Sequence, residues 1–314
     1  MKDATRILKR HPGNPLIKAS DCPGVMQVFN PSPATYEGKT VLLLSMIFFK
    51  ETTRRGETRL AWSDDGVHFT IEDHPFITLD TSTPPWNRIN VHIIDNRVTK
   101  IGDTYYILTP IMSPMGPVAV LGKTRDFKTY EAMEVVSQPM NRGASLFPEK
   151  INGKYYKLDR PGAGDGPEVR AGIWLSSSPD LIHWGCFRPL LEPGYVLWGR
   201  QKIGPTPPIK TEEGWLVIVH GVYRPCDGPH YCIGAILLDL ADPCKVIGKT
   251  TSSLLAPQEE YETRGVVDNV VFPCGALADA EKDELRLYYG GADTCICLAI
   301  GSLRAVIEAC KQGI

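Results

Sequence analysis

The segment VHIIDNRVTKIGDTYYI, residues 91–107, sets a single carboxylate, Asp95, at the end of an apolar run. Two readings of it are open. Asp95 is either a turn residue capping a loop amide or a general acid whose reaction needs no second protein carboxylate. Four basic side chains stand elsewhere in apolar stretches bounded by Pro and Gly. They are Arg142 in MNRGASLFP, Arg160 in YYKLDRPG, Lys202 in GRQKIGPTPPI and His220 at the end of GWLVIVHG. Each alone reads as a surface or salt-bridging residue, or for His220 as a satisfied core histidine. Gathered at corresponding strand ends they would form a positive cluster, with guanidinium forks and an ammonium suited to a phosphate or carboxylate dianion. Asn30 in MQVFNPSP and Asp293 in LYYGGADT are further polar residues in apolar settings, and a turn role is open for both.

No nucleophile or metal signature accompanies these residues. The histidines show no HExxH spacing, and there is no GxSxG elbow or GxxxxGK[ST] loop. The Gly-rich GAGDG at 162–166 opens no helix and reads as a surface loop. Nine scattered cysteines without a CxxC pair read as reduced core residues, with Cys295 and Cys297 packing on one strand face. Trp86 and Trp198 could stack on a sugar ring, but packing is the plainer reading. Glu259, Glu260 and Glu262 in PQEEYET read as a solvated acidic turn.

The elements that must hold such residues are strands. A polar turn followed by an aromatic and aliphatic strand recurs as YEGKTVLLL, IGDTYYIL, INGKYYKL, TEEGWLVIV and KDELRLYYG. A second phrase sets an Asp four residues before an aromatic, in the pairs Asp65/Phe69, Asp126/Tyr130 and Asp180/Trp184. A turn Asp binding nearby amides, with the ring filling the gap between sheets, explains that spacing. Five such units predict an all-β, five-bladed β-propeller as one domain over residues 1–314, with a pair of sandwiches as the alternative. The tail SLRAVIEACKQG predicts a short C-terminal helix with Ser302 as N-cap. With 34 basic and 36 acidic residues interspersed, the chain offers no electrostatic reason to bind nucleic acid or an anionic membrane. It shows no apolar leader and no membrane-length apolar run, so a cytoplasmic protein is expected.

Read in order, VFNPSP, DNRVTKIGDTYYI, NRGASLFPEKINGKYY, DRP, SSPDLIHWG, KIGPTPPI, TEEGWLVIVHGV, AILLDLADP, EEYET, NVVFPCGAL and YYGGADT resemble glycoside hydrolase family 130, the β-mannoside phosphorylases. The resemblance runs from about residue 14 to the C-terminus. It implies that Asp95 is the general acid and that Arg142, Arg160, Lys202 and His220 hold inorganic phosphate. Asn30 and Asp293 would contact the mannosyl unit. An inverting hydrolase needs a second carboxylate to activate water, whereas phosphate is already an anionic nucleophile and a basic cluster can replace that carboxylate. The implied reaction gives α-mannose 1-phosphate with inversion, the proton of Asp95 passing through the mannose 3-hydroxyl. Phosphate is then a co-substrate and no metal or organic cofactor is called for. Family members often form homo-oligomers, and the C-terminal helix either mediates that or packs on a blade. Two departures stand out: Ile94-Asp95-Asn96-Arg97 replaces the usual Tyr-Asp-Pro-Arg, and Ser45 stands where an Arg is common. A phosphate-independent β-mannosidase, a silent sugar-binding propeller and a protein-interaction propeller are the rivals.

Overall fold

A computed structural model describes residues 7–50, 53–89, 92–162 and 170–313. The GAGDG segment lies almost wholly outside these residues, so its loop reading has no structural counterpart. Five antiparallel sheets follow one another along the chain. Their first strands are Val25–Tyr36, Arg97–Ile101, Ser145–Leu146, Lys202–Pro205 and Val271–Pro273. First strands of blades one, two, three and five touch in turn, and outward from them blades one to four run in sequence order, while blade five ends on an N-terminal strand. This is the five-bladed propeller that the repeat predicts.

The apolar runs make sense as strands buried on both faces. In VLLLSMIFF, Val41 and Leu43 pack against the second blade, while Leu42, Leu44 and Met46 pack against the fifth. Trp215, Val217 and Val219 likewise face the third blade, and Leu216 and Ile218 the fifth. Alternate side chains of one strand thus enter different cores, which is why the period of two is hidden in a continuous apolar run. The turn aspartates behave as their spacing implies. Asp65 accepts the N–H groups of Val67 and His68, Asp126 those of Lys128 and Thr129, and Asp180 those of Ile182 and His183. The following ring reaches back to the preceding blade: Phe69 meets Tyr288 edge-on, and Trp184 packs on Leu108 and Leu121.

The ring closes through its N-terminus. Leu8–Arg10 forms the outer strand of the last blade, against Ala299–Gly301. Glu262 fastens it, and here the sequence reading is corrected. Rather than lying in a solvated turn, Glu262 is fully buried. It accepts the Arg10 guanidinium through both oxygens (2.8 and 2.7 Å), the Tyr289 hydroxyl (2.7 Å) and the backbone N–H of Gln258. The helix Leu303–Gln312 is capped by Ser302 and buries Leu303, Val306, Ile307 and Cys310 between the fourth and fifth blades. Its apolar face is therefore engaged within the chain. All nine cysteines are free; Cys295 and Cys297 lie in the core as expected, whereas Cys186 and Cys226 are exposed. Trp198 is buried and Trp86 packs on the core between the first two blades.

Replacing Glu262 by Ala leaves Arg10 without its partner and should cost about 3 kcal/mol of unfolding free energy, read from urea denaturation. A loss below about 0.5 kcal/mol would mean that strand pairing alone closes the ring.

Candidate active site

The axis opens at one end into a cavity of about 740 Å³ lined by Asn30, Asp95, Arg142, Arg160, Lys202, His220 and Asp293 together. All seven residues singled out in the sequence meet there, although five blades supply them. Asn30 sits at a bulge in the first strand of blade one, where pairing slips between Phe29 and Ser32. Such a bulge turns a side chain out of the sheet plane. Asp95 stands two residues before the innermost strand of blade two, and Asp293 occupies the turn between the last two long strands. Asn30, Asp95 and Asp293 all adopt left-handed backbone, with φ of 46, 58 and 54°. Asn and Asp tolerate that region best among residues with a side chain. Asp293 thus stands in a turn, as one of its readings has it, whereas the Asp95 carboxylate meets the side chains of Asn30 and Arg142 rather than a loop amide.

Asp95 is almost wholly buried and held from every side. Asn30 Nδ2 donates to one carboxylate oxygen at 2.7 Å, and Arg142 reaches the other at 3.4 Å. Its backbone N–H donates to Ser45 Oγ at 2.8 Å, and Ser45 in turn donates to the Asn30 carbonyl at 3.4 Å. Its carbonyl accepts Arg97 Nη1 at 2.6 Å. The next residue, Asn96, is locked between Thr58 of blade one (2.6 Å) and Thr109 of blade two (2.7 Å). The two departures from the family pattern thus have a local explanation: Ser45 and Asn96 clamp the backbone on which the acid stands.

The basic residues form the other side. Lys202 begins the innermost strand of blade four, and His220 lies on the neighbouring strand opposite Gly204. A Cβ on Gly204 would fall 2.2 Å from the His220 ring and 2.8 Å from Arg160 Cδ, so only glycine lets both approach the backbone. Burial and the neighbouring Arg142 and Arg97 pull the Arg160 guanidinium down to about 10, which leaves it charged at neutral pH. His220 differs from its sequence reading as a cation. Burial, reinforced by Arg160, Arg97, Lys202 and Arg142, holds its pKa well below the usual histidine range. It is a neutral imidazole stacked on Phe272 at 4.4 Å, and its Nδ1 has no hydrogen-bond partner. The cluster is three cations and one neutral donor. Arg97 was not singled out as a site residue in the sequence. It is fully buried and also donates to the Pro205 carbonyl across the axis. Met112, Met140, Val222, Val267 and Val270 add apolar wall, with Gln201, Arg224 and Tyr231 as further polar lining.

Asp293 is pushed up to about 7, by burial first and then by the charge of Asp95. Near neutrality it is therefore part carboxylic acid and can donate a hydrogen bond. Cys274, behind the site, is raised to about 12 by burial and is no thiolate nucleophile.

Comparison with known proteins agrees with this geometry. The sequence profile of glycoside hydrolase family 130, described as beta-1,4-mannooligosaccharide phosphorylase, matches residues 3–312. The chain belongs to that family. A beta-1,4-mannooligosaccharide phosphorylase of Ruminococcus albus is 34% identical over 99% of this chain and 92% of its own length. A beta-1,2-mannobiose phosphorylase of Listeria innocua is 42% identical over 78% of this chain and 66% of its own. The solved structure of a beta-1,2-mannobiose phosphorylase from Listeria innocua, in complex with beta-1,2-mannobiose, superimposes with a TM-score of 0.86 at 32% identity. It covers 97% of this chain and 99% of that one. No described helix is long and apolar enough to cross a membrane.

The raised Asp293 pKa has a sign that can be checked. The folded protein holds this proton up to about pH 7, whereas an unfolded Asp loses it near pH 4, so its burial costs stability increasingly as pH rises through that window. Asp293→Asn should therefore be more stable than the parent at pH 8, and this advantage should shrink toward pH 4. An advantage independent of pH, measured by urea unfolding of both proteins, would contradict the assignment.

Proposed function

We propose that the chain catalyses inverting phosphorolysis of a terminal β-mannoside, releasing α-mannose 1-phosphate. One observation carries the reading: a single cavity joins the buried Asp95 to Arg142, Arg160 and Lys202, with Arg142 touching both the acid and the basic cluster's cavity. The mannosyl unit lies against Asn30, Asp95 and Asp293, and phosphate lies among the three cations and the His220 N–H. A phosphate oxygen attacks C1 as the bond from C1 to the glycosidic oxygen breaks. The proton of Asp95, relayed by the mannose 3-hydroxyl, reaches the departing oxygen. The cations hold the dianion for attack and screen its repulsion from the carboxylate. Phosphate serves as co-substrate.

Hydrolysis is a second reading, since Asp293 offers another carboxyl in the same cavity. The basic cluster argues against it. Water needs no cationic cradle, and burying like charges without an anion to bind is unfavourable. The named relatives act on β-1,4 and β-1,2 mannosides, so both linkages, with β-1,3, form the substrate panel.

Asp95→Asn should lower kcat by about 10³-fold, within the range for loss of a general acid, and leave phosphate affinity close to that of the parent. Lys202→Met should raise the phosphate KM by about ten- to hundredfold, the effect of losing one charged hydrogen bond. If Lys202→Met leaves the phosphate KM unchanged, the cradle is misassigned. If Asp95→Asn keeps full turnover, the acid is misassigned.

A further inference from the structure

Blade three buries an ion pair that the proposed chemistry does not use. Lys157 and Asp159 are inaccessible on the second strand of that blade, and the Lys157 ammonium contacts Asp159 and lies 4.9 Å from the Trp184 ring. One Asp159 oxygen also accepts Asn141 Nδ2 at 2.7 Å, and the other accepts the Ser176 hydroxyl at 2.6 Å. The side-chain oxygen of Asn141 then accepts the backbone N–H of Gly143 (3.4 Å) and of Arg160 (3.3 Å). Asn141 and Pro161 pair as an isolated antiparallel bridge, and the Asn141 N–H donates to the Pro117 carbonyl of blade two.

The two arginines of the cavity thus emerge from two short segments, 141–143 and 159–161, joined through one asparagine. Gly143 completes the join, because a Cβ there would lie 3.1 Å from Arg160 Nε. We infer that Asp159, oriented by Lys157 and Ser176 and relayed through Asn141, is the positioning device that sets Arg142 and Arg160 at the spacing of one bound phosphate.

Two arguments support this beyond contact. A buried Lys–Asp pair is a poor stability device, since well-packed apolar residues of similar volume commonly do as well or better. A positional role accounts for its presence. The pair also settles a conflict of charge, because Asp159 is the sequence neighbour of Arg160. Three donors engage both of its oxygens, and those donors hold the carboxylate on the blade side, away from a guanidinium that must receive a dianion.

The inference rests on the phosphate reading, and the experiment separates the two. Inorganic phosphate is titrated calorimetrically into the parent protein, Asn141→Ala and the double variant Lys157→Met/Asp159→Leu. Phosphorolysis is then followed with phosphate and mannoside varied separately. Asn141→Ala and the double variant should each weaken phosphate about tenfold, in Kd and in KM, while the mannoside KM stays within about twofold. A folded double variant, judged by circular dichroism, that binds phosphate like the parent would overturn the inference. So would a mannoside KM that rises in step with the phosphate KM, which marks general loosening. Should the double variant fail to fold, Asn141→Ala and Ser176→Ala carry the test, and unchanged phosphate affinity in both overturns it. A parent protein that takes up no phosphate defeats the phosphate reading itself, before any variant is considered.

Discussion

Positive charge concentrated around one cavity is the constraint on which the rest of this structure depends. Arg97, Arg142, Arg160 and Lys202 stand around one site, and burial, reinforced by neighbouring positive charge, lowers Arg160 and keeps His220 neutral. Two like charges about 6 Å apart at an effective dielectric of about 20 repel by about 3 kcal/mol. Side chains on mobile loops would relax that repulsion by moving apart. A propeller resists such relaxation, since its innermost strands are gripped on both sides by neighbouring blades. In the proposed function, bound phosphate is what relieves that repulsion.

The rigid frame is built from residues that do no chemistry. Strands buried on both faces give each blade two cores, and turn aspartates with their trailing rings set the spacing between blades. The site residues stand where that regularity is interrupted: a bulge at Asn30, a left-handed residue at Asp95 and a left-handed turn at Asp293. Strained backbone of this kind persists when its surroundings over-determine it. Around Asp95 they do, through Ser45, Arg97 and the Thr58–Asn96–Thr109 chain.

Much of this was legible in the sequence, for reasons that are local. A turn and the strand after it adjoin along the chain, so the five-fold phrase foretold five blades. Ser302 capped its helix as expected because the cap and the amide it binds are three residues apart. The seven site residues were legible through family resemblance and through basic groups in apolar settings. What escaped was set by distance or by electrostatic surroundings. Glu262 looked solvated because its partner Arg10 is 252 residues away. His220 looked cationic because its neutrality comes from burial beside charges on other strands and blades. Arg97 and the Lys157–Asp159 pair carried no sequence signal, since their burial and partners appear only in the fold.

The central claim is that phosphate, not water, breaks the glycosidic bond. Phosphorus NMR of the protein with β-1,4-, β-1,2- and β-1,3-mannobiose, with and without inorganic phosphate, addresses it most directly. The account predicts α-mannose 1-phosphate from at least one of these substrates, and no sugar release when phosphate is omitted. Free mannose formed at the same rate with or without phosphate would contradict it.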